Sequence, residues 1–305
     1  MAWSEADIPD QTGRTVLVTG ANSGLGLRSA QVLAAKGAHV IMACRSPEKG
    51  KAALATIDGA AELLQLDLAD LASVRKAAEE VRERTGDRLD VLMNNAGIMG
   101  PPKGATVDGF ELQIGTNHLG HAALTWLLLP AVIGRVVTLS SLAHRGPGLD
   151  VDDLNWERRR YRAVGAYSAS KLANLIFAIE LDRRLRAAGS EVVSVAAHPG
   201  LTDTELAANS ARTRGSGRFG QAATSIVSFG NRLITQSLQR GALPQLYAAT
   251  APDVAGGEYF GPQGIGEVAG SPKRARARSA ARNADLGRRL WERTAELTGI
   301  APAPE

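Results

Sequence analysis

Tyr167 and Lys171 stand four residues apart in the stretch YSASKLANLIFAIELDRRL, which opens at Tyr167. On a helix that spacing stacks a phenol and an ammonium on one face, one turn apart. A phenol with a pKa of about 10 is a poor base at neutral pH, and lowering it by about three units requires about 4 kcal/mol in favour of the phenolate. One ammonium about 4 Å away, at an effective dielectric of about 20, supplies about that much. The pair is therefore a candidate proton donor and acceptor. The competing reading is two solvent-facing residues near a helix start. Leu172, Leu175, Ile176, Ile179 and Leu185 form an apolar stripe that predicts a helix with Tyr167 in its first turn.

A second chemical signal is TGANSGLG at 19–26, after the apolar run RTVLVTG. Gly20, Gly24 and Gly26 let the backbone turn sharply and approach a ligand closely. With Asn22, Ser23 and Leu25 they form a loop that opens a helix, whose free amides favour a pyrophosphate. The glycine spacing is T-G-x-x-x-G-x-G rather than G-x-G-x-x-G. At the end of the next apolar run, where a carboxylate would grip a ribose 2′-hydroxyl, stand Cys44 and Arg45. A guanidinium there suits a 2′-phosphate, so NADP(H) is favoured over NAD(H), and Ser23 offers a further hydroxyl. Arg45 as a plain surface charge is the alternative. His118 and His121 lie three apart, yet no neighbouring carboxylate or cysteine completes a ligand set, and no metal is expected. Trp126, Trp156 and Trp291 are read as packing residues, and His198, before Pro199, as fixing a loop rather than moving protons.

These residues need elements to hold them. Apolar runs at 14–20, 38–45, 61–68, 89–97, 134–141 and 191–200 read as strands buried on both faces. Helical patterns separate them, among them DLASVRKAAEEVRERTG and FELQIGTNHLGHAALTWLLL. The economical fold is α/β, a Rossmann-type doubly wound parallel sheet with helices on both faces. GGEYFGP at 256–262 reads as the last edge strand. A single domain is expected over 1–305, with a core at 12–262, a mobile substrate-side insertion at 205–240 and a C-terminal helical extension at 271–305. In that extension a helix from about 280 to 299, carrying Leu286, Leu290, Trp291 and Leu297, is expected to dock on the domain.

Composition narrows the classes. The chain has 305 residues, 44% of them hydrophobic, enough for a sizeable core. One cysteine excludes an intrachain disulfide. The polar N-terminal stretch lacks a signal pattern and no apolar run is long enough to span a membrane, which points to a cytoplasmic protein. The net charge is +4, with arginine clusters at 157–162 and 271–282. They lack interleaved aromatics, so they read as solvated faces rather than as a nucleic-acid site.

Taken in order, TGANSGLG, NNAG at 94–97, the serine pair at 140–141 and YSASK at 167–171 resemble the short-chain dehydrogenase/reductase family over roughly 12–262. NHLGH, SSLAH and HPGLTDTEL are similar to the branch of retinol dehydrogenases and their soluble bacterial relatives. The resemblance implies that Asp67 and Leu68 meet the adenine, and that Asn95, Ala96 and Gly97 border the adenosine ribose and the nicotinamide side. It implies that Pro199, Gly200, Leu201 and Thr204 hold the carboxamide and phosphates. Each has a plainer reading as a strand-end turn or helix cap. Tyr167 and Lys171 would touch the cofactor as well as move the proton. The family pattern places the working hydroxyl second in the pair, hence Ser141, with Ser140 as competitor. Asn117 would help hold a water linked to Lys171, or be a satisfied core amide, and Asn174 is taken as structural.

The leading reading is therefore an NADP(H)-dependent oxidoreductase that interconverts a small carbonyl compound and its alcohol, with a lipophilic substrate suggested by the resemblance alone. The alternative is a non-catalytic NADP(H)-binding regulator or redox sensor on the same fold. A methyltransferase also uses a glycine loop after its first strand but does not explain the serine pair and Y-x-x-x-K. The family's helices with Asn117 and Tyr167 often form dimer faces, which leaves a homodimer or homotetramer open.

Overall fold

The structure is a computed structural model that describes residues 2–201, 236–302 and 304. Thr204 and the part of the expected 205–240 insertion up to 235 lie outside the described residues. In chain order the main elements are β1 (Thr15–Thr19), α1 (Gly24–Ala35), β2 (His39–Cys44), α2 (Pro47–Leu54), β3 (Ala61–Gln65), α3 (Leu71–Thr85) and β4 (Leu89–Asn94). There follow α4 (Leu112–Ile114), α5 (Gly120–Leu128), β5 (Val132–Leu139), α6 (Ala163–Ala187) and β6 (Val193–Ala197). The chain closes with α7 (Leu238–Thr250), β7 (Tyr259–Pro262), β8 (Pro272–Arg274) and α8 (Ala284–Thr298).

Among the described residues the sheet has eight strands in the order β3-β2-β1-β4-β5-β6-β7-β8. All pair in parallel except β8, which runs antiparallel to β7. The sheet is buried on both sides, as the uninterrupted apolar runs require. Val16 and Val18 enter one core layer with Val40, Met42 and Leu246, whereas Leu17 enters the other with Ile41, Leu92 and Trp126. That is the period-two alternation of a pleated strand. Strand order reverses between β1 and β4, so their C-terminal ends open the crevice where ligands of such sheets bind.

Several elements depart from the sequence expectations. The helix expected over 110–129 is interrupted, because Gly115–Leu119 forms a π-helical turn between α4 and α5. A Cβ at Gly120 would overlap the Leu68 carbonyl, so this glycine lets the helix press against the turn after β3. The helix α6 begins at Ala163, which moves Tyr167 from the first turn to the second. It is also buried on nearly every side rather than along one stripe. The cause is α8, which packs across it: Trp291 stacks on Phe177 at 5.5 Å and meets Trp126 edge-on at 4.9 Å. Arg184 lies over the Trp291 ring at 4.7 Å. Part of the surface of α5 and α6 is thus covered by the chain's own helix. Finally, β7 is not the edge: part of the arginine-rich run at 271–282 forms β8, where Arg274 pairs with Glu258. In the same run Arg278 donates to the Gly146 carbonyl, so this stretch is not merely a solvated face.

Candidate active site

A cleft of about 290 Å³ lies at the C-terminal ends of β1, β2, β3 and β4. Its walls bring together Gly20, Asn22, Ser23, Leu25 and Gly26 from the first loop and Arg45 from the end of β2. Asp67 and Leu68 follow β3, and Asn95, Ala96 and Gly97 follow β4. Gly20 has φ +67°, a left-handed conformation that suits glycine, and an added Cβ would meet Ala96 at 3.0 Å. Ser23 occupies the N-cap of α1 without a side-chain cap bond, so its hydroxyl does not take up the first-turn amides. Those amides form a cradle for an anion at the start of a twelve-residue helix. Arg45 is exposed at the rim, and among the described residues no carboxylate pairs with it. These features fit a dinucleotide.

Some of the same residues also have structural partners. Asp67 accepts the Ala69 amide at 2.9 Å. The Asn95 amide donates to the Thr19 carbonyl at 2.7 Å and accepts from Gln245 of α7 at 3.3 Å, so its side chain anchors the loop beneath the cleft. Gly24, Tyr167, Lys171, Pro199, Gly200 and Leu201 are not part of the cleft wall. Pro199, Gly200 and Leu201 follow β6, where Leu201 donates to the Val268 carbonyl at 2.9 Å and Gln236 bonds the Pro199 carbonyl.

Tyr167 and Lys171 are both buried on α6, and the Lys171 Nζ lies 5.9 Å from the centroid of the Tyr167 ring. The ammonium donates to the Leu139 carbonyl at 3.2 Å. A Cβ added to Gly97 would lie 3.2 Å from Lys171 Nζ and 3.4 Å from Asn117 Oδ1, so both groups face one point beside the cleft wall. Asn117 is fully buried in the π turn. Its amide accepts from the Ile98 nitrogen at 2.8 Å and donates to the Ile98 carbonyl and to Ser170 Oγ, each at 2.9 Å. Ser140 donates to the Lys171 carbonyl at 2.8 Å, whereas Ser141 Oγ accepts the Ala143 amide at 3.2 Å at the head of a short 3-10 turn. Asn174 donates to the Leu139 carbonyl at 3.0 Å.

Behind these groups lies a charged cluster that sequence reasoning missed. His198 accepts the Gly200 amide at Nδ1 and donates from Nε2 to Glu267 at 3.2 Å. Glu267 also accepts from Arg145 and from the Arg276 amide. Burial alone would raise the Glu267 carboxyl, but His198, the Arg276 amide and Arg145 together hold it at about 2. Glu267 adopts φ +61°, a strained conformation for a side-chain-bearing residue. The cluster ties the turn after Ser141 to the loop after β6. Glu267 carried no motif signal, and Thr19 stood in the sequence only as the first residue of the glycine motif. His118 and His121 do not converge on one point: His118 meets Thr294 of α8 at 3.0 Å, and His121 meets Thr19 at 2.9 Å.

The family model for short chain dehydrogenases matches residues 14–215. Retinol dehydrogenase 13 of Homo sapiens is 41% identical over 310 residues, covering 97% of this chain and 87% of that protein. The crystal structure of an uncharacterized protein from Mycobacterium Paratuberculosis superposes with a TM-score of 0.83 at 45% identity, covering 98% of each chain. A short chain dehydrogenase from Burkholderia cenocepacia J2315 in complex with NADP superposes with a TM-score of 0.61 at 26% identity, covering 82% of this chain and 96% of that one.

Proposed function

This chain belongs to the short-chain dehydrogenase family, and on that premise we propose that it interconverts a ketone or aldehyde and the matching alcohol with NADP(H). The observation that carries the reading is the meeting of Lys171 and Asn117 beside Gly97, at the wall of a cleft suited to a dinucleotide. When bound, the dinucleotide supplies or takes up a hydride at its nicotinamide.

The chain's own residues do the rest. The amides that open α1 bind the pyrophosphate. Arg45 pairs with the 2′-phosphate, and the NADP in the Burkholderia neighbour supports that preference. Ser141 donates to the substrate oxygen and orients it. Ser140 is the weaker candidate, because its hydroxyl is engaged by the Lys171 carbonyl. In reduction Tyr167 gives its proton to the oxygen on which charge develops, and in oxidation it takes that proton back. Lys171 favours the phenolate. Its ammonium lies on the side of the Tyr167 ring, 5.9 Å from the ring centroid, in the low-dielectric interior where such an attraction is weakly screened.

The substrate we propose is lipophilic. A groove of about 1090 Å³ adjoins the cleft, its wall mostly apolar, with Ile98, Met99, Pro101, Pro102, Leu112 and Val164, and with Arg45, Thr116 and Arg162 as its polar members. The name of the human relative points the same way. Tested with NADPH against retinal, long-chain aliphatic aldehydes and small polar carbonyls, the protein should consume NADPH fastest with the apolar aldehydes. Tight NADPH binding without turnover on any of them would instead favour the non-catalytic sensor.

Among the described residues no helix is long and apolar enough to cross a membrane.

A further inference from the structure

His121 has no part in the proton transfer described above, yet it is buried at the junction of the two halves of the site. Its Nδ1 lies 2.9 Å from the Asn117 carbonyl and its Nε2 lies 2.9 Å from Thr19 Oγ1. A carbonyl can only accept, so Nδ1 carries the proton and Nε2 is left as an acceptor. Thr19 must then donate to Nε2, at 2.9 Å, in preference to the Met93 carbonyl at 3.3 Å. The lone pairs of Thr19 Oγ1 accept the amides of Asn95 and Ala96, both at 2.9 Å. On the other side Asn117 Nδ2 donates to Ser170 Oγ at 2.9 Å, and Ser170 donates to the Tyr167 carbonyl at 2.8 Å. An ordered chain of hydrogen bonds thus runs from the cofactor loop after β4, through one imidazole, to the helix that carries Tyr167 and Lys171. Each hydroxyl and ring proton in it has one consistent assignment.

We infer that His121 is a positioning residue: its Nε2 side fixes the loop 95–97 through Thr19, and its Nδ1 side fixes the π turn that carries Asn117. The inference rests on the oxidoreductase reading of the site. The ring must be neutral to do this, since a second ring proton would meet the donating hydroxyl of Thr19. Its environment keeps it neutral: burial, and to a smaller extent the Lys171 ammonium, push it down to about 4 against a favourable bond to Asn117. Mere filling of space would not require two directional bonds of opposite sense.

Two near-isosteres separate the halves. His121→Asn keeps a donor near the Nδ1 position and loses the acceptor for Thr19. His121→Gln keeps an acceptor near the Nε2 position and loses the donor to Asn117. Losing a buried partner typically shifts an equilibrium or rate about tenfold. With wild-type protein and its best panel substrate as reference, His121→Asn should raise the NADPH Kd about tenfold and lower kcat far less. His121→Gln should lower kcat about tenfold and leave the NADPH Kd within about twofold. Parallel changes in both quantities, or no change in either, would overturn the inference. Should neither variant fold, Thr19→Val must raise the NADPH Kd, and an unchanged Kd overturns the cofactor half. Absence of turnover in the wild type removes the oxidoreductase reading instead, and the Kd values of the two variants still decide how the loop 95–97 is held.

Discussion

Lowering the pH from 7 to 5 should destabilise this fold by about 4 kcal/mol through His118 and His121 alone. Both rings are fully enclosed, and burial pushes His118 from its ordinary 6.5 to about 3 and His121 to about 4. A folded-state value below the unfolded one means that the unfolded chain takes the proton first. The stability is therefore complete above pH 6.5 and is lost as the pH falls from there toward the folded values. A histidine that titrates at 6.5 when unfolded and well below 5 when folded contributes about 2 kcal/mol of loss between pH 7 and 5. This figure depends on the unfolded value and hardly on how far below 5 the folded value lies. His144 and His198, also lowered mainly by burial, add in the same direction. Glu267, held at about 2, acts at lower pH, losing its contribution as the pH falls below about 4.5. Urea unfolding at the two pH values, with the slope against denaturant constant, reads the difference directly. His118→Gln should remove about 2 kcal/mol of the pH effect. A wild type that loses less than about 1 kcal/mol, or a variant that keeps the full pH effect, would refute the reasoning.

Three further outcomes are expected. Tyr167→Phe should lower kcat by about 10²- to 10⁴-fold with NADPH affinity within about twofold, and substantial residual turnover would remove the phenol from its role. Arg45→Asp should weaken NADPH about 10- to 100-fold and NADH much less, as measured by titration of each nucleotide; an unchanged ratio of affinities defeats the 2′-phosphate assignment. Trp291→Ala should cost about 3–5 kcal/mol in chemical denaturation, because it empties a fully buried aromatic stack against Phe177 and Trp126. A loss below about 1 kcal/mol would mean that α8 is not held by that stack.

The sheet was legible because its strands are buried on both faces. Runs such as RTVLVTG and HVIMAC leave little but a central parallel strand. The loop TGANSGLG stood out because glycines between a buried strand and a helix leave open amides, and NNAG stood out only through the family resemblance; the structure brings both to one cleft. What stayed hidden depends on long-range contact. Nothing local in GTNHLG announces a π turn, which exists here with Gly120 pressed against Leu68. The early start of α6 was masked because Arg162 and Ala163 follow a run of arginines that reads as exposed. Its burial on nearly every side follows from α8, which begins 97 positions after α6 ends. Likewise β8 is a short run with no apolar pattern, specified by pairing with β7 and by the Arg274–Glu258 ion pair. In the sequence His121 shows only its spacing from His118, because the partner that explains it, Thr19, is 102 positions upstream.

The indole of Trp291, wedged between Phe177 and Trp126, has a bearing on how copies of the chain could meet. A neighbour seeking the outer flank of α5 and α6 would first have to peel α8 away and leave two large aromatic rings in water. The part of that flank under α8 is therefore closed to a neighbour for as long as α8 stays docked. The helix that carries Tyr167 is then braced from within one chain, and dilution should not loosen it.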